Sequence, residues 1–179
     1  MLSFTYNLAV MLTATAALLA QTLLPEFDHE LVLTRRVLER APEAHFNWQP
    51  HPKSMTLTQL ATHTADMPGY MVSTLETPAL HLSSTDTDWT PAATIAELLQ
   101  RLEKGTAAAR TALEATDDEA FAQQWTMYYD GHPVINQPRA EVVRHIINHM
   151  IHHRAQIMVY LRLLDVPVPG IYGPSADER

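Results

Sequence analysis

Four of the ten histidines lie within nine residues near the end of the chain: His145, His149, His152 and His153. On a helical wheel at about 100° per residue, His149 and His153 fall inside the apolar arc of this segment, one turn apart. The arc consists of Val142, Ile146, Ile157, Tyr160 and Leu164. His145 and His152 fall at its border, and Arg144 and Arg162 fall on the opposite side. The spacing predicts that His149 and His153 point into the core.

Two buried imidazoles side by side are costly unless each ring nitrogen finds a partner. A divalent metal can accept a lone pair from both rings at i,i+4 spacing, and a catalytic type of site needs a third protein ligand. His63 is the best candidate, because it flanks a stripe of apolar residues on another predicted helix. Met150 follows His149, where the zincin motif requires Glu, so a metalloprotease of that type is excluded. From the pattern alone, a three-histidine metal site and a set of hydrogen-bonded core histidines both remain open.

Helical periodicity predicts four long helices that would position these residues. The first covers residues 23–43 with Pro25 in its first turn, and the second covers about residues 56–77. The third opens at Thr90-Pro91, and the fourth covers about residues 138–164. Asp130-Gly131 is a hairpin signal between short strand-like runs, while "HLSSTDTDW" is predicted to be a polar loop. We therefore expect an all-α protein, an antiparallel four-helix bundle with a short β-hairpin between helices 3 and 4 and an extended C-terminal tail.

We make separate predictions for the two ends of the chain. Residues 1–20 have no charged side chain and form either an apolar N-terminal extension or the start of helix 1, ahead of a domain at residues 21–179. A signal peptide is the alternative, but its basic region is missing, so we expect a cytoplasmic protein. The uncharged segment is also a candidate apolar patch, which favours a homodimer. The proline-containing tail is predicted to fold back and bury Ile171 or Tyr172, either sealing the bundle or lining the metal pocket.

Composition excludes several classes of function. The chain has no cysteine, so disulfides, zinc–thiolate sites and cysteine nucleophiles are absent. A net charge of −8 argues against a nucleic-acid partner, since such binding needs a basic surface. The polar interruptions of the first twenty residues argue against a membrane span. We therefore expect neither a nucleic-acid partner nor a membrane partner.

The chain resembles the DinB-like superfamily of four-helix-bundle proteins. The resemblance covers nearly all of it from about Leu24 and is strongest in "LLPEFDHE", "HPKSMTLTQLATHTADMPG" and "NHMIHHRAQIMVYLRLLDVPVPGIYGPSADE". It implies a divalent metal, often zinc or nickel with iron as a further option, bound by His63, His149 and His153. The common family run His-His-Arg-Gly-Gln has Ala155 in place of its glycine here, a small change on a helix.

Some relatives of this fold are thiol-dependent transferases and isomerases. The resemblance therefore implies an enzyme that activates a low-molecular-weight thiol or water against a small electrophile, such as a thiol S-transferase or a hydrolase-like enzyme. The alternative is a non-catalytic metal-binding or stress-linked interaction protein. No catalytic residue can be assigned from the sequence. Four residues are candidates for contacts around the metal or substrate: Asp66, Glu76, Asn148 and Gln156.

Overall fold

The computed structural model describes residues 18–86 and 89–178. Within these residues the chain forms five α-helices and three β-strands. The helices are α1 (Leu18–Leu38), α2 (Leu57–Glu76), α3 (Ile95–Ala115), α4 (Asp118–Ala122) and α5 (Arg139–Leu163). The strands are β1 (Ala79–Leu82), β2 (Gln124–Tyr129) and β3 (His132–Pro138). None of these helices combines the length and hydropathy needed to cross a membrane.

The four long helices enclose one apolar core. Helix α2 packs against α3 and α5, and α1 packs against the same two helices from the other side. Each long helix contributes buried side chains to this core, including Phe27, Leu38, Leu57, Met71, Leu98, Leu113, Ile147 and Met150. The site histidines on α2 and α5 therefore lie on two helices that are in direct contact.

The prediction of an all-α bundle with one hairpin is wrong, because the strands form a three-stranded mixed sheet in the order β1-β2-β3. The hairpin is present, and Asp130 and Gly131 at its turn have φ values of 48° and 78°. The additional strand, β1, pairs in parallel with β2, from Ala79↔Thr126 to Leu82↔Tyr129. Its first residues, Ala79 and Leu80, have little intrinsic preference for strands, and its partner lies more than forty residues away. A local pattern could not reveal this pairing, and the predicted polar loop, which begins at His81, overlaps the second half of the strand.

Helix boundaries depend on capping contacts. Helix α2 begins as predicted beside Thr56, which forms a capping box with Gln59. The predicted opening of the third helix at Thr90-Pro91 is wrong, because α3 begins at Ile95 with Thr94 as its cap. The preceding loop is tied to α2 instead. The amide of Ala92 donates to Thr62 Oγ1 at 2.9 Å, and Thr58 Oγ1 donates to the carbonyl of Ala92 at 2.7 Å.

Helix α5 is buried on two sides. Val142 and Ile146 are buried, as the wheel predicted, and they line a cavity between α5, α2 and the sheet. Arg144 and Arg162 are exposed. A second buried stripe, which the wheel did not predict, consists of Val143, Ile147, Met150, Arg154 and Leu161. Because α5 also packs against α1, its exposed residues lie on the remaining side of the helix, which includes Arg144, Val159 and Arg162.

The predictions for the two ends are partly corrected. Residues 18–20 belong to α1 and Pro25 lies inside that helix, so the predicted start of the helix at Leu23 is wrong. Residues 1–17 lie outside the described part of the chain. The tail does fold back on the bundle. It buries Val168, however, while Ile171 is only partly buried and Tyr172 is 68% exposed. The Tyr172 hydroxyl still reaches the bundle, where it contacts Glu30 and Arg154.

Candidate metal centre

The structure brings His63, His149 and His153 together. One ring nitrogen from each lies within 4.8 Å of the others, and the Nε2 atoms of His149 and His153 are 2.7 Å apart. The ring centroid of His63 is 5.4 Å from that of His149 and 4.8 Å from that of His153. These are the three residues that the wheel and the family motif selected. Among the described residues, they are the one group of three or more His, Cys, Asp or Glu side chains with metal-ligand spacing.

Two helices position the three rings. His149 and His153 lie one turn apart on α5, so both rings leave the helix in nearly the same direction. His63 comes from α2, on the side of the helix that also carries the buried residues Met67 and Thr74. All three rings are half-buried, whereas His29, His145 and His152 are exposed. The cluster therefore lies at the edge of the core.

Gln156 holds the ring of His153. Its Oε1 atom lies 2.8 Å from His153 Nδ1, one helical turn further along α5. A carbonyl oxygen accepts a hydrogen bond, so this contact places the proton of the neutral ring on Nδ1. The lone pair of Nε2 is then directed towards His63 and His149. Metal-binding histidines are commonly oriented by a hydrogen bond of this kind.

The electrostatics keep the three imidazoles neutral. Burial, followed by the neighbouring rings of His153 and His63, lowers the pKa of His149 from 6.5 to about 4. Burial is also the main cause that lowers the pKa of His63, against a smaller opposing effect of Asp66. Burial lowers the pKa of His153 despite its bond to Gln156. Neutral imidazole is the form that binds metals, so the site is ready for a cation at neutral pH.

The other candidate contacts have different surroundings. Asp66 accepts a hydrogen bond from Trp89 Nε1 at 3.1 Å and pairs with Arg101 at 3.3 Å. Glu76 and Asn148 are exposed. Of the four, Gln156 is therefore the residue that touches a site histidine.

A cavity of about 140 Å³ adjoins the cluster. Its wall combines side chains of α2, α5 and all three strands: His63, Met67, Tyr70, Thr74, Leu82, Trp125, Met127, Ile135, Val142, His145, Ile146 and His149. The strand residues were missed by the sequence prediction. The alternation of Trp125 and Met127 along β2 was an available signal that both face the same side. No residue of the described tail lines this cavity, so the prediction that the tail forms part of the pocket wall is not supported.

Sequence comparison matches the chain to a family model and a short segment of it to a relative. The family model described as "DinB family" matches residues 11–179. An uncharacterized protein of Bacillus subtilis strain 168, YrdA, is 42% identical over 41 residues. That match spans only 23% of this chain and 25% of YrdA, so it covers a short segment of each protein.

Solved structures show the same fold. A DinB-like protein from Bacillus cereus ATCC 10987 has a TM-score of 0.65 and 20% identity, covering 83% of this chain and 95% of that one. A putative DinB-family member from Exiguobacterium sibiricum 255-15 has a TM-score of 0.61 and 15% identity, covering 84% and 94%. A DinB-like protein from Bacillus subtilis has a TM-score of 0.59 and 16% identity, covering 87% and 99%. With the family model matching all but the first ten residues, the chain belongs to the DinB family.

Proposed function

We propose that this protein is a metal-dependent enzyme in which His63, His149 and His153 bind one divalent ion, zinc or nickel, with iron as a further option. The observation that carries the proposal is the convergence of three neutral imidazoles beside a largely apolar cavity. A tetrahedral ion with metal–nitrogen distances near 2.1 Å needs donor atoms about 3.4 Å apart. The candidate atoms lie within 4.8 Å of one another, so small side-chain rotations would satisfy that geometry.

The ligand set favours catalysis over a purely structural role. Structural zinc sites usually have four protein ligands, whereas catalytic sites have three and an open position. When bound in such a site, a divalent ion lowers the pKa of a coordinated water or thiol. The reaction that this arrangement supports is attack of a small thiol or water on a small electrophile. Because the chain contains no cysteine, a thiol would have to be a co-substrate.

The chain's own residues have two roles in this proposal. Gln156 fixes the tautomer and direction of His153, which keeps its Nε2 lone pair towards the site. The apolar wall formed by residues such as Met67, Trp125 and Ile146 limits the water beside the site. Limited water strengthens electrostatic interactions and protects an activated nucleophile from competing reactions.

The test begins with the metal content of the purified protein. We expect one ion per chain, which His149→Ala should abolish while helical circular dichroism is retained. His152→Ala is the matched control, because His152 is an exposed histidine on the same helix, and this variant should keep its metal. Normal metal content in the His149→Ala variant would overturn the site assignment.

Activity is then screened with thiols and small electrophiles on the zinc-loaded and nickel-loaded protein. Consumption of the electrophile that requires His149 would support the enzyme. Stoichiometric metal binding with no turnover across the screen would instead favour a non-catalytic metal-binding protein.

A further inference from the structure

The size of the cavity beside His63 and His149 restricts what it can hold. Its volume is about 140 Å³. An apolar protein cavity of roughly 150 Å³ accommodates benzene and stays dry without it. The space therefore fits one small ring or a short branched alkyl group.

The wall of the cavity is unsuited to charge. It contains no Asp, Glu, Lys or Arg from residues 18–86 and 89–178. The hydroxyl of Thr74 already donates to the carbonyl of Tyr70 at 2.8 Å, and eight of the remaining side chains are apolar or aromatic. Burying an ion without a counter-charge is costly, because the ion loses its hydration without full compensation. The polar atoms of the wall, among them Trp125 Nε1, which is buried without a hydrogen-bond partner in the described part of the chain, supply hydrogen-bonding capacity but no carboxylate, ammonium or guanidinium counter-charge. A charged group on the occupant is therefore disfavoured relative to an uncharged one.

The position of the cavity orients its occupant. His63 and His149 form part of its wall, while Leu82, Trp125 and Ile135 from the sheet form another part. A molecule whose apolar group contacts the sheet side would place its other end beside the histidines. Common low-molecular-weight thiols carry carboxylate or ammonium groups, so they fit this wall poorly.

We propose that this cavity binds the uncharged apolar group of the electrophile, a group of about benzene size, with the reactive atom towards His63 and His149. This inference rests on the proposed function, since it assigns a substrate class to the same site. It predicts that electrophiles with a small aryl or branched alkyl group are preferred over equally sized ones that carry a carboxylate.

The test uses the full-length protein, both zinc-loaded and treated with a chelator. Benzene and benzoate are the probes, because they share one ring and differ by a charge. Binding is followed by the indole NMR signal of Trp125, which lies in the wall. We expect saturable binding of benzene in both forms and at least tenfold weaker binding of benzoate to this cavity. Val142→Phe, which fills the cavity from α5, should abolish the benzene response.

Val159→Phe is the matched control, since it makes the same change at an exposed position of the same helix. It should bind benzene like the unmodified protein. If Val142→Phe fails to fold, Ile135→Phe fills the cavity from the half-buried face of β3 instead. Equal binding of benzene and benzoate, or unchanged benzene binding in a folded cavity-filling variant, would overturn the inference.

Metal content measured in the same samples separates this inference from the proposed function. Loss of benzene binding with full zinc content would refute the substrate class alone. Benzene binding by a protein that takes up neither zinc, nickel nor iron in any preparation would refute the proposed function, and with it the assignment of the occupant as an electrophile.

Discussion

Arg154→Met tests how the helix that carries two of the site histidines is held against α1. Arg154 is 2% exposed, and its Nη1 atom lies 2.7 Å from Glu30 Oε2. It also donates to the carbonyl of Glu30 at 3.1 Å, to Thr34 Oγ1 at 3.4 Å and to the Tyr172 hydroxyl at 2.7 Å. Methionine retains much of the length and apolar volume but none of these donors. Among the described residues, the hydroxyl of Tyr172 would then be the remaining partner of the Glu30 carboxylate.

The expected cost follows from leaving that carboxylate buried. The side chain of Glu30 is only 7% exposed in its pair with Arg154. Removing one partner of a buried pair typically costs about 3–5 kcal/mol, because the remaining charge is desolvated without compensation. For a chain of this size, that loss corresponds to a decrease in melting temperature of roughly 6–20 °C. Replacing both partners, as in Glu30→Leu with Arg154→Met, should restore most of the stability, since an apolar pair of similar volume avoids the desolvation.

The assay is urea unfolding followed by circular dichroism at pH 7, with a chelator present so that metal binding does not contribute. Arg144→Met is the matched control on the same helix. Arg144 pairs with Glu26 at 3.0 Å, but its side chain is 47% exposed, so its loss should cost less than about 1 kcal/mol. A similarly small loss for Arg154→Met would refute the reasoning. A double variant no more stable than Arg154→Met would refute it as well.

Five further predictions concern the site, the tail and the assembly. Gln156→Leu should lower zinc affinity about 10–100-fold in a chelator competition, because the ring of His153 loses its orienting partner; unchanged affinity would contradict this role. Three ordinary imidazoles would lose about 30-fold in zinc affinity between pH 7 and pH 6, because protons compete for the ring nitrogens. The pKa of each site histidine is lowered, that of His149 to about 4, so the affinity measured by calorimetry should fall far less than this. By the same shift, the metal-free protein should lose stability as the pH falls from about 6.5 towards 4, where the unfolded chain takes up a proton that folded His149 does not. Deleting residues 166–179 should lower the urea midpoint of unfolding, because Val168 is buried and Asp177 pairs with Arg162. Zinc binding should be unchanged in this variant. An unchanged midpoint would show that the tail does not seal the bundle. Light scattering should give a homodimer, and a clean monomer at tens of micromolar would remove that prediction.

The metal-ligand candidates could be selected from the sequence because helical periodicity is a local property. A spacing of four residues on a helix brings His149 and His153 to one face whatever the helix packs against. His63 was selected by the same wheel argument on α2 and by the family motif. The hairpin turn at Asp130-Gly131 was also predictable, since its backbone conformation is encoded by the two residues themselves.

The surroundings of the histidines could not be predicted in this way. Strand β1 exists because Ala79–Leu82 pairs with a strand that follows two further helices, and this sheet supplies one wall of the cavity. Arg154 is buried because Glu30, more than one hundred residues earlier, lies opposite it once α1 packs against α5. Residue type and spacing determine which side of an element is apolar. Which element packs against each apolar side depends on long-range contacts, which form only when distant segments come together. The same contacts create the cavity beside the histidines and the ion pair between Arg154 and Glu30.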